Sequence, residues 1–331
     1  MEFTELVDLA SERFGGRVLA ANDDFFAPKE NLLKSAAPIF LADKFTDRGK
    51  WMDGWETRRR RTPGYDWCVI QLGLAGRIRG VVVDTSFFKG NFPARASLEA
   101  CAAHGTPPIE TLLAPAVRWT EILPETTLIG GTRNRFHITA PDRFTHLRFK
   151  IFPDGGVARL RVHGDVLPDW DATERAGAEL DLAAVEYGGI ILASSDMFFS
   201  APSNLILPGA SLGMFDGWET RRRRGPGHDW AIVRLGARGN IRRVVVETTH
   251  FKGNFPESCS LDACRAAHDV PVNQLDWKDI LPRSPLEADA RREFQTDLHA
   301  AADVTHVRFN IYPDGGVARL RVFGQRTKHS A

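Results

Sequence analysis

The chain has 331 residues, with 43 Lys and Arg against 42 Asp and Glu and a net charge of +1. That balance excludes a one-signed surface for nucleic acid or an acidic membrane, and 43% apolar residues exclude a disordered chain. The length predicts two domains of about 150 residues each, and no apolar run approaches the ~20 residues that span a bilayer.

In chain order, the opening residues MEFTE lack the basic and apolar regions of a secretory signal. Residues 4–14 carry a helical pattern, and residues 31–53 read as loop. The segment DGWETRRRR follows at 53–61. Residues 67–72 read as a strand, then a Gly-containing turn, then a second strand over 78–85 with three consecutive Val. FKGNFP at 88–93 comes directly after it. There Gly90 permits a bend and Pro93 ends the strand. Residues 97–104 read as a short helix, and 105–118 as a loop. A β-rich run from Phe144 meets Asp154-Gly155, a two-residue type I′ turn signal, and a second β-rich run leads to Gly164.

The same features then return. DGWETRRRR recurs unchanged at 216–224, and VVVDTSFFKGNFP at 81–93 returns as VVVETTHFKGNFP at 244–256. Residues 144–164 and 304–324 agree at 16 of 21 positions, which chance does not produce. A period this long means two homologous domains rather than a solenoid of short units. The boundaries read are 1–165 and 181–331, with a polar, Ala-rich linker or short helix over 166–180. Many short strands and few helices make each domain an antiparallel β-sandwich.

With Asp154-Gly155 as a hairpin loop, Lys150 faces Arg159, Arg148 faces Arg161 and His146 faces His163. Directly opposed like charges are destabilising. An acid from a neighbouring repeat or subunit, or an anionic ligand, is therefore expected over this face in both copies. The like-charged face favours a homo-oligomer.

Three motifs hold candidate chemistry. In DGWETRRRR, an acid can carry a proton while an Arg grips a carboxylate bidentately; the alternative is a salt-bridge network that shapes the loop. In FKGNFP, Asn offers donor and acceptor to a ureido or amide group; the alternative is an Asn that caps its own turn. His146 and His306 occur in both copies. His228 and His250 occur only in the second, in place of Tyr65 and Phe87, which favours the second copy as the working one. Any single His is more often structural than catalytic. No HxH, HxxxH or HExxH spacing marks a metal site, and no Walker A, GxSxG or GxGxxG motif marks nucleotide or serine-hydrolase chemistry. The four cysteines, Cys68, Cys101, Cys259 and Cys264, lack CxxC spacing. They suit a soluble protein of a reducing compartment, the cytoplasm.

The doubled DGWETRRRR, FKGNFP and PDGGVARLR together resemble the allantoicase family, and the likeness runs from about residue 8 to residue 324. It implies two jelly-roll-like β-sandwiches of the galactose-binding type, and hydrolysis of allantoate to ureidoglycolate and urea. It admits a divalent metal, Mn²⁺ included, and assigns no ligands. The substrate is a small carboxylate with two ureido groups. It calls for cations, amides, and a proton carrier for the departing urea, worth about 10²–10⁴-fold in rate. On that chemistry the proton carriers are Asp216, Glu219, His250 and His306, with Asp53, Glu56 and His146 in the first copy. The substrate-binding residues are Arg221, Arg223, Lys252, Asn254 and Arg308, with Arg58, Arg60, Lys89, Asn91 and Arg148. Two rival classes remain. One is a pair of non-catalytic ligand-binding modules, which expects exposed aromatics in the rim loops. The other is a scaffold with every Arg paired internally, which expects no charge-lined pocket at the DGWE loops.

Overall fold

The computed structural model describes residues 2–175, 179–267 and 270–327. The chain divides into two compact units, Met1–Pro168 and Asp169–Ala331. The segment read as a linker holds the end of a strand, Arg159–Val166, and a short helix, Trp170–Arg175; its residues 176–178 lie outside the described ones.

Each unit is organised by one long strand. In the first it runs Asp66–Asp84, 19 residues without a break. The turn expected inside it does not form, and its glycines remain strand residues. Its first half pairs with Phe144–Phe152 on one side and Arg17–Ala21 on the other. Its second half pairs with Arg159–Val166 and Arg133–His137. One strand thus serves both layers of the sandwich. Phe144–Phe152 pairs onward with Arg95–Cys101, and that with Thr120–Thr127; all pairings are antiparallel. The second unit repeats this order around Asp229–Glu247.

The register places Cys68, Ile70, Leu98, Ala100, Leu147 and Phe149 on one face, and all are fully buried. Val81, Val83, Leu160 and Val162 of the other layer are buried too. Removing these side chains from water is the main force holding each sandwich.

The hairpin at Asp154-Gly155 is also absent. Phe144–Phe152 and Arg159–Val166 never pair, because the long strand lies between them. The turn instead carries the chain from one layer to the other, and Gly156–Val157 pairs on the way with Trp55–Glu56. Gly155 is needed there for two reasons. Its φ is 138°, and a β-carbon would sit 2.7 Å from the Pro93 nitrogen and 2.8 Å from the Asn91 carbonyl oxygen. A local turn signal reports the turn and says nothing of which strands pair.

Without that hairpin the stacked-cation face disappears. Arg148 and Lys150 pair with Glu99 on the adjacent strand, and Arg308 pairs with Asp262. Arg161 reaches Asp8. The neutralising acids come from within each unit.

Two expected helices are strands or turns. Residues 97–104 begin inside the strand Arg95–Cys101, where pairing on both sides overrides local helix propensity. Residues 4–14 hold the strand Val7–Asp8 between short 3₁₀ turns, tied by the Val162 amide donating to the Asp8 carboxylate. The Val-rich strand ends at Asp84, and Pro93 stands just before the next strand. The left-handed backbone in this loop falls on Phe87 (φ 71°) and His250 (φ 73°), and neither Gly90 nor Gly253 adopts it.

Candidate active site

The three repeated motifs meet at one rim of each sandwich. Trp55 is fully buried, and its indole N–H donates to the Asp23 carbonyl at 2.8 Å. The short strand Trp55–Glu56 alternates sides, so a buried Trp turns the next residue, Glu56, toward the rim. The Asn91 amide donates to Glu56 Oε1 at 2.7 Å. The Gly156 amide donates to the Asn91 carbonyl at 2.7 Å, and the Gly155 amide donates to Thr57 Oγ1 at 3.1 Å. DGWET, GNF and DGG therefore lock one another. In the second unit Trp218 is fully buried, and Asn254 donates to Glu219 Oε1 at 2.5 Å. The Gly316 amide donates to the Asn254 carbonyl at 2.7 Å.

Burial raises the Glu56 carboxyl above the ordinary glutamate range, and the hydrogen bond from Asn91 only partly offsets it. Such an acid keeps its proton to higher pH than an exposed one, which suits proton delivery.

In the second unit Glu219 and Asn254 line a cleft of about 810 Å³, with Phe199, Arg222, Arg223 and Asp314. Arg222 was not among the candidates read from sequence. It is exposed at this cleft, and no acid among the described residues pairs with it. Its first-copy equivalent is Arg59. Nothing in a run of four arginines marks which one faces the cleft.

The flanking arginines are engaged. Arg58 Nε donates to Asp23 at 3.0 Å, and Arg221 Nε donates to Asp196 at 3.0 Å. Arg60 donates to the buried Asp66 at 2.7 Å, and Arg223 pairs with the buried Asp229. Arg223 still borders the cleft. Lys252 is exposed, 3.8 Å from Asp289, and Lys89 is also exposed.

Asp53 and Asp216 are held inside. Asp53 Oδ2 accepts from Arg159 Nη2 at 2.7 Å and from the Ile39 amide at 3.0 Å. Asp216 accepts from Arg319 at 2.8 Å. Burial pushes the Asp53 carboxyl up, but the hydrogen bonds from Arg159 and Ile39 and the charge of Arg159 outweigh it, so it is held below the usual aspartate range. Each pair fastens the DGWE loop to the strand after DGG.

The histidines lie elsewhere. His146 is fully buried, with Nδ1 2.8 Å from Thr145 Oγ1. It stands six residues before Phe152, or about 20 Å along an extended strand from the turn at the rim. Burial, and then the charge of Arg17, hold its imidazole below the ordinary histidine range. His306 has the same place in the second unit. Arg148 and Arg308 lie on the outer sheet face, over the rings of Trp119 and Trp277. His250 Nε2 is 3.0 Å from the Ser211 carbonyl, and His250 does not line the cleft. His228 is 3.3 Å from Asn310 Oδ1.

Among the described residues no three His, Cys, Asp or Glu side chains are grouped to hold a metal ion, so no step is derived through one.

These features define a duplicated β-sandwich protein with an acid–amide pair at one rim of each copy, bordered in the second by a guanidinium. The family model described as "Allantoicase repeat" matches residues 7–167 and again 180–327. The chain belongs to the allantoicase family. "Probable allantoicase 1" of Burkholderia mallei (strain ATCC 23344) is 48% identical over 99% of this chain and 97% of that one. "Allantoicase" of Dictyostelium discoideum is 46% identical over 96% of this chain and 87% of that one. The crystal structure of allantoicase from Saccharomyces cerevisiae superposes with a TM-score of 0.80 at 35% identity, over 98% of this chain and 96% of that one.

Proposed function

We propose that the chain hydrolyses allantoate to ureidoglycolate and urea in the breakdown of purine-derived ureides. Besides membership of the family, one observation carries the reading: the Glu219–Asn254 pair in a cleft beside Arg222, matched by Glu56 and Asn91 in the first copy. The Arg222 fork receives the substrate carboxylate, and Asn254 meets a ureido group through its amide. The glutamic acid gives its proton to the departing ureido nitrogen. As that C–N bond breaks, the lone pair of the second ureido nitrogen moves onto the central carbon. Water adds to that carbon and returns a proton to the carboxylate. One residue thus acts as acid and then as base.

Asp53, Asp216, His146 and His306 then serve the fold, since each lies in a buried contact away from the cleft. The test is urea release by wild type, Glu56→Gln, Glu219→Gln and the double variant, with and without added Mn²⁺. The double variant falls by about 10²-fold or more. Full activity in it removes the glutamates from the reaction.

The binding-module reading keeps one observation in its favour. Phe25, Phe26, Phe198, Phe199 and Phe215 are exposed in the rim loops. Allantoate binding without urea release is the result that selects it. The same exposed side chains are the surface a homo-oligomer would cover, and sedimentation velocity reads the subunit number. No helix among the described residues is long and apolar enough to cross a membrane. The four cysteines are buried and free, which suits the cytoplasm, and fractionation of cells checks that placement.

A further inference from the structure

The two copies differ in chemistry at the end of the sandwich away from Glu219. There the second unit has a cleft of about 610 Å³ lined by Arg238, Arg265, Arg326, Trp170 and Thr327. The strand register makes Ala75, Ala102 and Val166 the first-copy counterparts of the three arginines. Gly76 faces Val166 as Gly239 faces Arg326. The Leu167 amide bonds to the Ala75 carbonyl as the Thr327 amide bonds to that of Arg238. Three apolar positions in one copy are thus three cations in the other, around one opening. Asp303 lies 3.5 Å from Arg238 and 3.3 Å from Arg265, an ion-pair partner to both. The Arg326 guanidinium lies 4.8 Å from the centre of the Trp170 ring. Thr327 Oγ1 is buried without a hydrogen-bond partner among the described residues, a cost that a bound acceptor or donor removes.

We propose that this cleft binds a small organic dicarboxylate. Planar guanidinium forks match carboxylate geometry, and Leu235, Ala266 and Ala267 give the carbon skeleton an apolar wall. The site is separate from the Glu219 cleft, and its ligand is bound without being turned over.

The test is calorimetric titration of the full chain with succinate and, separately, with inorganic phosphate. A variant with Arg238→Ala, Arg265→Ala and Arg326→Val restores the side chains of the sister copy, which that fold already accommodates. Saturable succinate binding in wild type, weakened about tenfold or more in this variant and unchanged in Glu219→Gln, supports the proposal. Unchanged binding in the triple variant, loss of binding in Glu219→Gln, or no saturable heat overturns it. Phosphate binding as tight as succinate overturns the dicarboxylate assignment. If the triple variant unfolds, Arg265→Ala alone, at a side chain 63% exposed, carries the same comparison.

Discussion

In the first copy two acids three residues apart sit in opposite electrostatic settings. Asp53 is buried against Arg159, which holds its carboxyl below the usual range. Its contribution to stability is present above the ordinary aspartate pKa of about 3.9 and is lost as pH falls through the lower folded value. Removing it strands a buried guanidinium, so Asp53→Ala and Asp216→Ala each cost about 3–5 kcal/mol, read by guanidinium chloride unfolding. Glu56 behaves in the reverse sense, because burial raises its pKa. The unfolded chain releases that proton first, so stability falls as pH rises from about 4.3 to the higher folded value. Glu56→Gln therefore melts at a higher temperature than wild type above that window and at the same temperature below it, while losing its share of urea release. A structural carboxylate of the Asp53 kind instead gives a variant less stable than wild type at neutral pH, with the difference shrinking as the carboxylate is protonated at low pH. The motif DGWET shows both acids in sequence and does not tell them apart, because burial and partner decide the difference.

At the scale of elements, the sequence reading finds strands and misplaces their partners. Val-rich and aromatic runs mark the strands well, because each is half or fully buried. Asp154-Gly155 marks a turn correctly, yet the turn joins layers instead of forming a hairpin, since the partner of both flanking strands is a segment some 80 residues earlier. The glycine pair is conformationally demanding: a β-carbon on Gly156 would drive into the Phe88 ring, which is fully buried, and Gly316 meets Phe251 in the same way. Gly156→Ala and Gly316→Ala each lose about 1–3 kcal/mol, seen as a lower melting temperature by calorimetry. Because Gly156 also donates to the Asn91 carbonyl, the Glu56–Asn91 pair shifts and urea release from that copy drops.

For the whole molecule the question is whether one copy works or two. Phe87 in place of His250 gave a reason to favour the second. His250 does not line the Glu219 cleft and contacts a backbone carbonyl instead, so that reason lapses. The Glu–Asn pair and the Trp beneath it occur in both copies, and Arg59 stands in the sequence where the second copy has Arg222. Each single Glu→Gln variant therefore retains about half of wild-type kcat and an unchanged KM. A variant that retains all activity in one copy and none in the other identifies a single working repeat.

The amino-acid sequence by itself determined the duplication, the β-rich class and the family, because repeated motifs and strand periodicity are written in consecutive residues. Glu56, Asn91, Glu219 and Asn254 were legible as candidates for the same reason. Only the tertiary structure decided that Arg222 borders the cleft while Arg221 and Arg223 are tied down, that Asp53 is an internal anchor, and that His146 lies far from Glu56. Those outcomes depend on which segments meet across the sandwich, and long-range pairing sets both the burial and the partner of every charged group.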